Sequence, residues 1–350
     1  MGPGSFEGSK VIVAELIISI LLVFNVISSD SIKHKNINRI WLLGLAVLFI
    51  LSIIHLFFNQ TQTVLFGNQF RLQGTLLLWF LMTLAFLTSK ISIENRIKPW
   101  VVFAVLVIQF ILSILFIGVG ADRPIGTLGE PNALAATVLF LWPFLFFPKP
   151  NNRKYWIIGF IGVIIICIIL LITGSRSGII AFGIQLLFLY LVRAFYGRSF
   201  FPTIISILLI VCSLAIPFYI QGNLYENRSE IWQSSLSAAS KSPLIGVGFG
   251  NVEYALHEAN VRIGNHLPGY YVDSAHNIFL DFLVQGGIIG FLILIYLILN
   301  TFRGFIFHNN TRNIVLLLGL TASLSFNPAS VVSLIQFWWL IGQGSARQNS

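Results

Sequence analysis

An all-α, polytopic transmembrane helix bundle is predicted by three observations. Hydrophobic residues make up 56% of the 350 and charged residues only 9%, against about 25% charged in a soluble domain. The apolar residues, rich in Ile, Leu and 32 Phe, fall in runs of the length that crosses a bilayer. The basic residues collect in alternate loops, which a soluble protein has no reason to do.

The apolar runs place spans near 11–28, 40–58, 74–89, 99–118, 132–147, 155–172, 179–195, 201–219, 277–299, 314–325 and 329–343, the last two being short. Lys33, Lys35, Arg39, Lys90, Arg96, Lys98, Lys149, Arg153, Lys154, Arg193, Arg198, Arg303, Arg312 and Arg347 share one side, 14 of the 21 basic residues. The positive-inside rule makes that side cytoplasmic. The net charge of +9 is then a topology signal, and no nucleic-acid partner is implied. About eleven spans with a cytoplasmic C-terminus leave Met1–Lys10 outside, so either a twelfth helix is expected in the full-length protein or the short C-terminal pair is a single re-entrant hairpin. The Met-Gly-Pro-Gly-Ser start reads as a scar or a truncated frame.

No repeat or linker divides the chain, so residues 1–350 read as a single membrane domain. Within it, 220–276 is one large extracytoplasmic loop. Asn227 and Glu230 resemble a capping box opening a short interfacial helix over Ile231–Ala239, which Pro243 ends. The glycine-dense Leu244–Asn251 turn follows. A Gly-x-Gly there is no nucleotide site, because no strand precedes it. Two further polar features lie on the same side: the Ala121–Asn132 loop, and a tight turn, Thr173-Gly174-Ser175-Arg176-Ser177-Gly178, that holds an arginine at the membrane boundary.

Candidate chemistry concentrates at that face. Guanidinium forks suit phosphate. Arg176 and Arg228 sit in tight or capped segments and read as phosphate ligands, whereas Arg71 and Arg262 read as headgroup anchors. His55 reads as a packed, hydrogen-bonded residue. His257, His266 and His276 show no metal-ligand spacing, so no metal and no cofactor are expected. Cys167 and Cys212 lie in apolar runs and read as small embedded hydrophobes. His276, at the start of the ninth span, can take a proton near neutral pH. On a helix starting there Asn277 and Asp281 share a face, while His276 and Asp281 diverge. Asp281 is an acid inside a span, a costly placement.

The ordered motifs carry a resemblance. His276-Asn277 followed by Gly287-Ile288-Ile289-Gly290 is similar to the His-Asn…Gly-x-x-Gly signature of the O-antigen ligase/polymerase superfamily. Gly126-Thr127…Glu130-Pro131-Asn132-Ala133-Leu134-Ala135 resembles its Gly-Thr…Asn-Pro-Asn-x-x-Ala stretch, with Glu130 where the family often has Asn. Thr173–Gly178 resembles its Thr-x-Ser-Arg-Gly turn. Arg228…Trp232 with Pro243-Leu244-Ile245-Gly246-Val247-Gly248 resembles its Arg…Trp…Pro-Leu-x-Gly-x-Gly segment. The resemblance covers about 120–300.

It implies a metal-independent, inverting glycosyltransferase in the cytoplasmic (inner) membrane, multi-pass, with its site on the extracytoplasmic side. The donor would be a polyprenyl-diphosphate-linked glycan and the acceptor a lipid, glycan or protein, among membrane lipids. His276, Arg228 and Arg176 would be catalytic, and Arg123, Asn132, Asn277 and Asp281 substrate-binding. Ligase, polymerase and protein O-oligosaccharyltransferase share this site logic. A lipid-linked sugar transporter or flippase ranks third, because polarity gathers at one face rather than in mid-membrane.

Overall fold

The computed structural model describes residues 4–27, 38–58, 61–68, 71–90, 98–118, 123–146, 153–195, 228–264 and 272–345. The expected span 201–219, Cys212, Asn227 and His266 lie outside the described residues. Among those described, all regular secondary structure is helical. Three helices are long and apolar enough to cross a membrane: Arg39–Phe58, Pro99–Gly118 and Ile278–Phe307. Shorter apolar helices accompany them at Thr75–Lys90, Pro131–Phe146, Ile157–Thr173, Arg176–Val192, Thr311–Leu324 and Val331–Gln343. This is the composition of an integral membrane protein.

The chain forms two compact units, one of 1–92, 225–308 and 327–350, the other of 93–224 and 309–326. The first holds α1 (Gly4–Ile27), α2 (Arg39–Phe58), α3 (Thr61–Phe66) and α4 (Thr75–Lys90) from the N-terminal part of the chain. The second holds α5 (Pro99–Gly118), α6 (Pro131–Leu141), α7 (Pro143–Phe146), α8 (Arg153–Thr173) and α9 (Arg176–Phe195). α10 (Arg228–Ala239), α11 (Val252–Ile263), α12 (Ile278–Phe307) and α14 (Val331–Gln343) return to the first unit, and α13 (Thr311–Leu324) to the second.

In the first unit α4 packs on α14 and α1, α2 on α12, and α10 on both α11 and α12. Small residues allow the closest of these contacts. A Cβ on Gly342 would collide with Thr88 and Ala85 of α4. Gln343 Nε2 donates to the Thr88 carbonyl at 2.7 Å. Trp79 Nε1 of α4 donates to Ser52 Oγ of α2 at 2.7 Å, giving two polar groups within an apolar interface the partner each needs.

The decisive local event is a break in α12. Gly287 has φ 61 and ψ −162, a region essentially reserved for glycine. Two rungs of the helix are opened there. Ile288 N and Ile289 N donate instead to the Pro243 carbonyl at 2.8 Å and the Leu244 carbonyl at 3.2 Å. The carbonyls of Val284 and Gln285 accept from Val247 N at 2.9 Å and Gly248 N at 3.0 Å. The glycine-dense turn is thus a strap laid across the break, and its four bonds answer the four groups the break exposes. Gly246 (φ 78) makes the approach possible, since a Cβ there would strike the Gln285 backbone. His55 Nε2 bonds the Ile245 carbonyl at 2.7 Å, and its ring meets Phe249 edge-on. His55 is the packed, hydrogen-bonded residue expected of it.

Beyond the break, Ile288–Phe307 covers roughly 30 Å of helix, enough to cross the hydrocarbon on its own. Before the break, Ile278–Gly286 carries the polar Asp281 and Gln285.

In the second unit Gln185 is buried and ties three helices together. Its Oε1 accepts from Trp142 Nε1 at 2.8 Å, and its Nε2 donates to the Val315 carbonyl at 2.9 Å and that of Leu139 at 3.3 Å. The span predicted over 132–147 is two helices. Pro143 lacks an amide hydrogen, so α6 ends at Leu141 and α7 restarts at the proline.

Candidate functional site

Two clusters of polar side chains contain the predicted site residues, one in each unit.

The first is built on the approach to α12. Asn277 is its N-cap, accepting from Phe279 N at 2.9 Å and Leu280 N at 3.3 Å through Oδ1. His276, just outside the helix, has φ 54, a left-handed conformation that costs an L-residue free energy. Two turns of chemistry hold it there. Asp281, 9% exposed, accepts from Ser274 Oγ and Ala275 N, both at 2.8 Å. Ser274 Oγ in turn accepts from His276 N at 3.0 Å. Because the chain reverses before Asn277, Asp281 reaches the backbone around His276 although helical spacing would separate them.

Three charges surround the imidazole. Burial pushes its pKa from 6.5 down to about 4; Asp273 opposes this, and the Arg71 and Arg228 cations add to it. The ring is therefore neutral at pH 7, a proton acceptor beside two guanidinium groups. Arg228 is the first residue of α10. Arg71 Nε pairs with Asp273 Oδ2 at 2.5 Å, and its Nη1 reaches the Ala329 carbonyl at 3.3 Å. A cavity of about 40 Å³ opens among Asn68, Arg71, Gln73, Asp273, Asp281 and Gln285, with Val252 and Gly250 also on its wall, and it is large enough for water or a hydroxyl group.

Arg71 and Asp273 are the residues that sequence reasoning missed. Arg71 was assigned to headgroup anchoring, and the structure pairs it beside His276. The available signal was Asp273, an acid three residues before the histidine. Its partner lies 202 residues away, beyond any local pattern. Arg262, the other expected anchor, donates to Ser237 Oγ at 2.8 Å, and Lys241 pairs with Glu258 at 2.6 Å. Where the short interfacial helix was expected the chain forms a helix, α10, which starts three residues earlier than predicted. The segment after the strap, unread from sequence, is the helix α11, ended by Gly264 with φ 69.

The second cluster lies around the α8–α9 turn. Gly174 (φ 57) makes the turn, and Arg176 opens α9. Arg123 Nε donates to the Thr173 carbonyl at 2.7 Å, capping the end of α8. Burial lowers the Arg123 pKa, Glu130 counters that effect, and Arg176 reinforces it; the two guanidinium groups therefore share one electrostatic neighbourhood with Glu130. Asn132, in the first turn of α6, accepts from Ser175 Oγ at 3.0 Å. Gly178 lets α9 close on α6, with Ala135 Cβ at 2.9 Å from where a Cβ would stand. Thus Arg123, Asn132 and Arg176 come together in one unit, and Arg228, His276, Asn277 and Asp281 in the other.

The O-antigen ligase family model matches residues 161–295. That stretch of the chain is O-antigen ligase-like. The match takes in Arg176, Arg228, His276, Asn277 and Asp281, and stops short of Arg123 and Asn132 on the N-terminal side. Over 339 residues the chain is 25% identical to the ComP-specific O-oligosaccharyltransferase of Acinetobacter baylyi, covering 85% of this chain and 59% of that protein. Over 192 residues it is 24% identical to an uncharacterised protein of Haemophilus influenzae, covering 48% of each. The chain thus spans about half to three-fifths of the length of the curated relatives it matches.

Proposed function

We propose that this chain is a membrane glycosyltransferase of the O-antigen ligase type, acting on the extracytoplasmic face of the cytoplasmic membrane. The donor is a glycan on a polyprenyl diphosphate. The acceptor presents a hydroxyl group on a lipid, a glycan or a protein. The observation that carries the reading is His276, held at φ 54 by a turn bonded to Asp281 and within the electrostatic influence of the cations Arg71 and Arg228.

In the proposed step the acceptor oxygen attacks the anomeric carbon as its proton passes to His276, and the bond from that carbon to the diphosphate oxygen breaks. Attack from the face opposite the leaving group inverts the centre. The diphosphate departs with the electron pair, and guanidinium groups offset the developing charge. Arg228 takes this role beside His276. Arg176 and Arg123 are proposed phosphate ligands on their chemistry and on the motifs that carry them. Asp273 supplies the counter-charge for the imidazolium that forms. Cationic side chains at the leaving group do the work a metal ion does in other transferases, so the reaction as proposed is metal-independent. Asn132 and Asn277 are proposed to contact the glycan.

A broken membrane helix is the feature that would favour transport, because freed backbone groups there bind cargo. In α12 the freed groups are all bonded to the strap, which supports surface transfer over transport.

The test is reconstitution in vesicles with a polyprenyl-diphosphate oligosaccharide, products being read by mass. One-step transfer to a separate lipid identifies a ligase, a ladder of repeats on the carrier a polymerase, and a glycosylated peptide a protein O-oligosaccharyltransferase. The relative from Acinetobacter baylyi makes the last arm worth including. Arg176→Ala, Arg228→Ala and His276→Ala are each expected to abolish product at unchanged membrane insertion. Wild-type product from all three at equal expression refutes the site assignment.

A further inference from the structure

Both oxygens of the Asp281 carboxylate accept a hydrogen bond from inside the protein. Oδ1 accepts from Ala275 N and Oδ2 from Ser274 Oγ, both at 2.8 Å. The serine oxygen is itself bonded by His276 N at 3.0 Å, so three consecutive residues wrap around one carboxylate. Charge-assisted bonds of this kind are the stronger class. They are what keeps His276 at φ 54, where an unrestrained histidine would not stay. The carboxylate rides on the first turn of α12, so the helix and the His276 turn form one rigid piece. Asn277, between them, caps the same turn of helix.

The cavity that Asp281 also lines is no larger than a water or a single hydroxyl group, and a sugar that displaced either bond would dismantle the turn. We infer that Asp281 is the positioning residue of His276: it acts on glycosyl transfer by holding the 274–276 backbone, and does not bind substrate. The inference rests on the reading of His276 as the proton acceptor. It replaces the substrate-binding role the sequence suggested, and it explains an acid in an apolar helix by a bond network rather than by a ligand.

The experiment measures kcat and KM for the donor in reconstituted vesicles with polyprenyl-diphosphate oligosaccharide, for wild type, Asp281→Asn, His276→Ala and the double variant. A misplaced acid–base group costs on the order of 100-fold in rate. Asp281→Asn is therefore expected to lower kcat about 100-fold with the donor KM unchanged within twofold. Whatever trace of turnover long incubation of His276→Ala reveals is expected to change by less than about twofold when Asp281→Asn is added, because the group it positions is already gone.

Ser274→Ala removes one arm of the network and keeps the other. It is expected to lower kcat about tenfold at unchanged KM, and it carries the test if Asp281→Asn does not fold. A raised KM at unchanged kcat makes Asp281 a substrate ligand and overturns the inference. So does a further fall in rate when Asp281→Asn is added to His276→Ala. If His276→Ala is inactive while Asp281→Asn and Ser274→Ala both match wild type, positioning fails and the transfer reading stands. If His276→Ala keeps the wild-type rate, both fall.

Discussion

Gly287→Ala probes the break that sets the strap against α12. At φ 61 and ψ −162 an L-residue is strained by about 1–3 kcal/mol, and its methyl group would also strike the Leu244 carbonyl and Gly246 N. The chain has one escape, which is to close the helix. Ile288 N and Ile289 N would then return to the Val284 and Gln285 carbonyls, regaining two bonds and releasing the four that hold the strap. At roughly 1 kcal/mol net per bond, that exchange loses about 2 kcal/mol, similar to the strain avoided. Either route weakens docking by about 2 kcal/mol, equivalent to roughly 30-fold in an equilibrium constant. Hydrogen exchange in nanodiscs reads this directly: the Val247 and Gly248 amides should lose roughly 30-fold protection. Gly246→Ala, which collides from the other side, should do the same. Wild-type exchange across 243–250 together with an unchanged melting temperature in Gly287→Ala would refute the strap as a bonded element.

Other outcomes follow from the same geometry. With the His276 pKa held near 4 against an ordinary 6.5, the unfolded chain takes up the proton first as pH falls. The stability this group contributes is full above pH 6.5 and is lost between 6.5 and about 4. With His276 as the titrating base, its acid limb in kcat/KM should lie near pH 4; a limb near 6.5 that persists in Asp281→Asn would contradict the assignment. Arg71→Met removes a cation that depresses the imidazole and should move the acid limb upward, whereas Asp273→Asn should move it downward; pH–rate profiles of the two variants distinguish the signs. Gly178→Ala sets a methyl 2.9 Å from Ala135 Cβ and 3.2 Å from Leu170 Cδ2. It should cost about 1–3 kcal/mol, read as a lowered melting temperature in detergent.

The sequence by itself determined the class of molecule. Apolar run length and charge scarcity specify membrane helices, because lipid tolerates little else, and most predicted runs coincide with observed helices. It also nominated His276, Arg228 and Arg176, since each sits in a short motif whose residue types are unusual for a membrane boundary. Local spacing failed where the chain stops being periodic. The pairing of Arg71 with Asp273 closes a gap of 202 residues, and no window along the chain contains both. Asp281 seemed to point away from His276 because helical geometry was extended through a residue that is not helical. The glycine-rich turn was legible as a turn, but its purpose was not. Only the tertiary structure brings Val247 and Gly248 to the opened carbonyls of α12, since hydrogen bonds between distant backbone segments leave no side-chain signature beyond the glycines that make room for them.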